Sequence, residues 1–196
     1  MPTVKAQLKL TYTIFEKGEL NVKMQMTTDK NAKMSDMLRF GMVMQMPYNM
    51  DQIRYFGRGP IENYSDRKAS ERIGIYKQTA DNQFFPYIRP QENGTKQDVK
   101  WWQQTNASGT GLEIHGELGD LSMSALHYAI ADLDDGLEKG QRHSYQVKKS
   151  PFTNLCIDKE QTGVGGTNSW GEWPLERYRL HYGDRTYEFL LRPIVK

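Results

Sequence analysis

Apolar residues fall on every second position near the start of the chain: Leu8, Leu10, Tyr12 and Ile14, then the turn Glu16-Lys17-Gly18-Glu19, then Leu20, Val22, Met24 and Met26. A period of two puts these side chains on one face of an extended backbone, so the segment predicts a β-hairpin with one buried face. The pattern repeats at Leu38, Phe40, Met42, Met44 and Met46 until Pro47, which cannot donate to a ladder, stops a third strand. Further short strands are expected at residues 53–56, 99–104, 111–115, 121–128, 144–147, 154–157, 178–182 and 185–192. Residues 125–137 carry apolar positions at mixed spacing and end in Asp-Asp-Gly, which allows at most one short helix. So many half-apolar strands bury one face each most simply as two packed antiparallel sheets. The expected class is therefore all-β. No fixed-period repeat, low-complexity tract or Pro/Ser-rich linker marks a boundary, so residues 1–196 are read as one domain.

Composition narrows the function classes. The mean hydropathy is −0.76, yet 11 tyrosines, seven phenylalanines, four tryptophans and ten methionines supply the bulk of a core. A formal net charge of +2, with basic residues scattered among acidic ones, argues against a nucleic-acid partner; Lys148-Lys149 reads as solvated surface. Cys156 is the only cysteine and sits in the apolar run Leu155-Cys156-Ile157, so no disulfide framework or thiolate metal site is expected and the thiol reads as core. No apolar run approaches the ~20 residues of a membrane span, and the N-terminus lacks a signal-peptide segment. The chain is expected to be soluble, and its localisation stays open between a cytoplasmic and an exported parent.

Three polar stretches could carry chemistry. Residues 55–67, YFGRGPIENYSDR, combine turn-forming Gly57, Gly59 and Pro60 with Glu62 and Asp66, either of which could pair with Arg58 or Arg67. A salt-bridged loop is the simpler reading, because two carboxylates on one turn seldom flank a sugar from both sides at ~5 Å as a retaining glycosidase requires. Residues 89–94, RPQENG, form a compact turn in which Arg89 could grip a carboxylate and Glu92 or Asn93 could contact a sugar. His115, His127, His143 and His181 lack the short spacing of a metal site, and no GxSxG elbow occurs. No catalytic residue and no metal ligand is assigned in this chain.

The third stretch, residues 163–173, is GVGGTNSWGEW. A phosphate cradle would need a following helix, whereas Trp170, Gly171, Trp173 and Pro174 follow; a flexible linker would not normally carry two tryptophans. The loop closes on itself and projects an indole, which physics alone leaves open between core filler and ligand platform.

Taken together, YFGRGPIENYSDR, YIRPQENG, a region running from an Asp-Leu step to His143-Ser144-Tyr145, and NLCIDKEQTGVGGTNSW resemble, in order, the C-terminal domain of family 2 β-galactosidases, often called the small chain. The resemblance covers most of the chain from about Arg54 onward. It implies a large antiparallel supersandwich similar to galactose mutarotase, packed beside a separate catalytic (β/α)8 barrel as its partner. It implies that the family's Gly-Gly-x-x-Ser-Trp falls on Gly165, Gly166, Thr167, Asn168, Ser169 and Trp170. Trp170 then lends an apolar platform to the sugar site, with Asn168 and Ser169 as loop neighbours. Family members more often carry Asp where this chain has Thr167. The catalytic glutamates of the retaining mechanism and the magnesium and sodium ligands belong to the barrel, so the chain alone is expected to be inactive and to bind no cofactor. A galactoside is the expected substrate of the whole, and the oligomeric state of the parent stays open. Two other functions compete: a stand-alone carbohydrate-binding module and, by analogy of fold, a mutarotase-like epimerase. A docked domain is also expected to leave one apolar face bare.

Overall fold

The computed structural model describes residues 4–134, 140, 142–168 and 171–195. In chain order the elements are β1 (Ala6–Ile14), β2 (Leu20–Thr28), β3 (Arg39–Pro47), β4 (Gln52–Gly59), β5 (Arg72–Thr79), α1 (Ala80–Gln83), β6 (Lys96–Val99), β7 (Trp101–Thr105), β8 (Gly111–Gly116), β9 (Leu121–Leu126), α2 (Ile130–Leu133), β10 (Phe152–Gln161) and β11 (Arg185–Ile194). They build two sheets, one of seven strands in the order β1-β2-β11-β8-β7-β4-β5 and one of four in the order β3-β10-β9-β6. Every strand pair is antiparallel. The all-β sandwich expected from the alternation is what forms.

Register turns the period of two into a core. Val22 and Met24 of β2 lie opposite Phe189 and Tyr187 of β11, so their side chains share the inner face. On the other side of the large sheet, Trp102 stacks on Tyr55 at 5.2 Å between ring centroids and donates its indole N–H to Gln104 Oε1 at 2.9 Å. The small sheet closes over these with Leu155, Ile157 and Met123, all fully buried. Removing each such side chain from water contributes about 1.5–3 kcal/mol. A buried polar contact also crosses the sandwich: the Tyr187 hydroxyl donates to the Ile157 carbonyl. Close approach also explains Gly41, where a Cβ would stand 2.5 Å from the Asp158 Cα, beside the register shift between Asp158 and Glu160.

The structure departs from the sequence reading at several places. Residues 144–147 are not a strand: Ser144–Gln146 is a 3-10 turn, with His143 N donating to Gln146 Oε1 at 2.7 Å. Residues 178–182 contribute only the single bridge Leu180 to Met37, because Glu176–Tyr178 winds into another 3-10 turn. Strand β5 was not anticipated, since Gly74 and alternate polar positions blur its pattern. Helix α2 lies in the segment where one short helix was allowed; α1 is a further single turn, capped by Thr79 Oγ1 accepting from the Asn82 amide at 3.2 Å.

The opening hairpin also differs. Its β2 half is buried as expected, but on β1 Leu8, Leu10, Tyr12 and Ile14 are 40–78% exposed. They pair with Met26, Met24, Val22 and Leu20 and therefore point to the inner side of the sandwich, where among the described residues no strand of the small sheet lies beyond β3 to cover them. A bare apolar face is present, at this edge.

At the start of β6, Lys96 is 1% exposed and donates its ammonium to the Gly94 carbonyl at 2.9 Å. Burial pulls its pKa down to about 8 against the opposing charges of Glu62 and Glu71. Between that value and the unfolded value of 10.5 the unfolded chain binds more protons, so this group adds stability as pH rises from about 8 and withdraws it as pH falls. Buried Tyr64 and Tyr187 are pushed up and act in the opposite sense above their ordinary range. Urea unfolding of the chain and of Lys96→Met at pH 7.5, 8.5 and 9.5 is expected to show the variant losing up to about 2 kcal/mol of pH-dependent gain. Parallel pH profiles would contradict the assignment.

Candidate functional site

The outer face of the small sheet forms the floor of a cleft of about 590 Å³, within the range of small-molecule sites. Val43 and Gln45 of β3, Asn154 and Cys156 of β10 and Ser124 of β9 supply the floor. One wall is apolar, from Leu126, Tyr128, Ile130 and Leu133; the other is Leu38 with Thr162, Gly163 and Val164. The alternation that sends Leu155 and Ile157 inward sends Asn154 and Cys156 outward into the cleft.

Hydrogen bonding fixes the polar groups of the floor. Gln45 Nε2 donates to Asn154 Oδ1 at 3.0 Å. Arg39 lies at one end, its guanidinium donating to Asp158 at 2.5 and 3.1 Å and to Glu92 at 3.4 Å. Asp158 is 1% exposed. Its burial pushes the carboxyl up to about 6, with the charge and hydrogen bond of Arg39 pulling the other way. The Cys156 thiol is likewise pushed up, to about 11, by burial. Apolar walls, amide groups in the floor and an arginine-carboxylate cluster at one end suit a polyhydroxylated ligand that needs both ring contact and fixed hydrogen bonds.

The sequence-predicted residues divide around this cleft. Glu92 lines it, bridging Arg39 and Thr95, whose hydroxyl donates to Glu92 at 3.0 Å. Asn93 also borders it, but its amide is engaged with Phe85, accepting from the backbone N–H at 2.8 Å and donating to the carbonyl at 2.5 Å. Arg89 is exposed. Asn168 is exposed at the end of the 163–168 loop, and Ser169 and Trp170 lie outside the described residues. Trp173 is half exposed, with the Arg179 guanidinium 5.0 Å from its ring centroid. No histidine lines the cleft among the described residues: His127 is buried, stacked on Tyr48 at 3.8 Å and bonded to Asp81 at 3.0 Å. No cluster of three or more metal-ligating side chains occurs among the described residues.

The motif of residues 55–67 is what holds the loop. Glu62 accepts from Arg67 at 2.5 Å, from the Gly94 amide at 2.8 Å and from the Tyr87 hydroxyl, so it fastens this segment to the RPQENG turn. Asn63 ties the segment to β6 by accepting the Gln97 amide at 2.9 Å, while Arg58 pairs with Asp98 of β6 at 2.7 Å. Asp66 accepts the amides of Val164 at 3.2 Å and Gly165 at 2.7 Å. Its carboxylate sits so close to Gly163 that a Cβ there would lie 2.4 Å from Oδ2. A Cβ on Gly166 would stand 2.4 Å from the Glu172 carbonyl oxygen, so the loop folds back on its own end. Sequence reasoning gave Asp66 to an ion pair, and the backbone role escaped it because the two motifs are far apart in the chain. The Arg39–Asp158 pair was also missed, although an acidic residue directly after a buried apolar run was its signal.

Comparison with known sequences matches residues 1–191 to the family described as beta galactosidase small chain. The beta-galactosidase of Priestia megaterium is 33% identical over 96% of this chain and 18% of its own length. That of Lactobacillus delbrueckii subsp. bulgaricus is 32% identical over 86% of this chain and 16% of its own. Beta-galactosidase BgaC of Bifidobacterium adolescentis is 29% identical over 90% and 16%. The chain thus spans under a fifth of the length of these relatives.

Removing the Asp66 carboxylate is expected to free the loop without unfolding the sheets. In Asp66→Ala, amide exchange across residues 163–168 should accelerate at least tenfold while β10 and β11 stay protected. Unchanged loop exchange would show that the loop is held by other means.

Proposed function

Because the chain belongs to the β-galactosidase small-chain family, we propose that it is the small-chain part of a β-galactosidase and works joined to a separate catalytic portion. The observation that carries this is coverage: the family match spans residues 1–191, yet the matched relatives are more than five times as long. The bulk of such a protein, including its reacting carboxylates, then lies outside these residues. The reaction would be retaining hydrolysis of a terminal β-galactoside, in which one carboxylic acid protonates the leaving oxygen and a carboxylate forms the glycosyl-enzyme that water resolves.

In this reading the chain's contribution is positioning. The loop from Gly163, tied down by Asp66, leads to Trp170, whose indole would offer a sugar ring an apolar face. Binding of that kind acts on substrate and transition state alike and shows chiefly in KM. A second reading, sugar binding by the chain itself, is favoured by the cleft with its amide-lined floor. A tryptophan-fluorescence titration with galactose or lactose that stays flat to high millimolar sugar would rule it out.

The test of the main proposal is complementation. The remainder of the parent polypeptide and this chain, produced separately, should each fail to hydrolyse o-nitrophenyl β-galactoside and should recover activity when mixed. In the recovered enzyme Trp170→Ala should raise KM roughly tenfold and leave kcat within about threefold. Full activity of the remainder alone, or hydrolysis by the chain alone, would refute the proposal.

A further inference from the structure

Sheets of unequal width cannot cover each other. The small sheet runs from β6, whose following residue Lys100 donates its amide to Phe56 of β4 at 2.8 Å, to β3, whose Phe40 meets Tyr187 of β11 edge to face at 6.2 Å. Beyond β3 the inner face of β2 is still covered, with Val22, Met24 and Met26 2–5% exposed and residues 34–37 beside the two methionines, whereas among the described residues that of β1 is left open. Among the described residues β3 pairs with β10 alone, so its other edge is a row of unpaired backbone groups. Met42 and Met44, inward-facing on β3, pack against the core but are only partly buried, while Leu8, Leu10 and Tyr12 on the inner face of β1 are 40–56% exposed. A cavity of about 320 Å³ at one end of the opening is walled by Leu8, Met24 and Met26 of the large sheet, by Phe40 of β3 and by Met34 and Met37 of the segment before β3.

We infer that a β-strand from the remainder of the parent polypeptide pairs with the free edge of β3 and closes the sandwich over β1. This rests on the proposal that the chain is the small-chain part of a larger enzyme. The relatives' length supplies the source, since more than four fifths of each lies outside the match. The geometry supplies the chemistry. A strand added beside β3 at the usual ~4.8 Å spacing would continue the small sheet toward β1, at the ~10 Å separation of stacked sheets. It would need an apolar residue at every second position to fill the space between Met44 and Leu10 and satisfy the open ladder at once. Its outward side chains would lie beside Val43, half exposed in the cleft floor, so the same strand would extend that floor.

Residue-resolved hydrogen exchange on the active full-length parent tests this, together with a photo-crosslinker at Leu10. All non-proline β3 amides, 39–46, should then exchange slowly, including those facing away from β10, roughly a hundredfold slower than in the 196-residue chain. The crosslinked peptide should come from outside this chain and show alternating apolar residues. An active parent in which half the β3 amides still exchange freely would overturn the inference and leave the functional proposal standing. So would a crosslink to a second copy of this chain, or to a segment without the alternation. A gene that encodes no more than this chain would end both.

Discussion

Burial of alternate side chains between two sheets is the constraint on which the rest depends. Each strand has one face for the interior and one for something else, and the division is fixed residue by residue through the register. Leu155 and Ile157 must go inward because Cys156 and Asp158 go outward. The cleft is therefore not an addition to the sandwich but the reverse side of its core. The same division costs something at the outer face, where Asp158 is buried and is held by Arg39. A buried ion pair is a poor source of stability, but here it fixes the end of a floor whose other polar groups are the amides of Gln45 and Asn154 and the Ser124 hydroxyl.

The loops are ordered by carboxylates acting on backbone amides more than by ion pairs. Glu62 takes Gly94, and Asp66 takes Val164 and Gly165, so two loops far apart in sequence are referred to one segment after β4. Acceptance of backbone N–H groups fixes main-chain position, which a flexible lysine or arginine pair does less well. What Asp66 anchors is the stretch leading to the proposed sugar platform. The motif after β4 thus acts on the site at one remove.

How much of this was legible in the chain depended on whether the signal was local. Strands with clean alternation, such as β2, β3 and β11, were readable, because burial on one face follows from a period of two. Strand β5 was not, because at a sheet edge Ile73 and Ile75 need no buried partner and Gly74 interrupts the pattern. Residues 144–146 and 176–178 carry strand-like composition, yet short 3-10 turns form, in the first case closed by Gln146 against the His143 amide. Of the site, Glu92 was visible as a polar turn residue. The cleft it borders was not, since it joins β3, β9, β10 and the Gly163 loop across more than a hundred positions.

The contact between Gly163 and Asp66 has a consequence for how this chain can change. With the carboxylate pressed against the glycine, any side chain at 163 collides unless residue 66 first becomes smaller, and a smaller residue 66 releases the amides of 164 and 165. Either single step is harmful, and a side chain at 163 costs less once residue 66 has become smaller. The two positions, 97 residues apart, are therefore expected to drift as one unit, a sign-epistatic lock that would hold the loop's shape while the residues around it diverge.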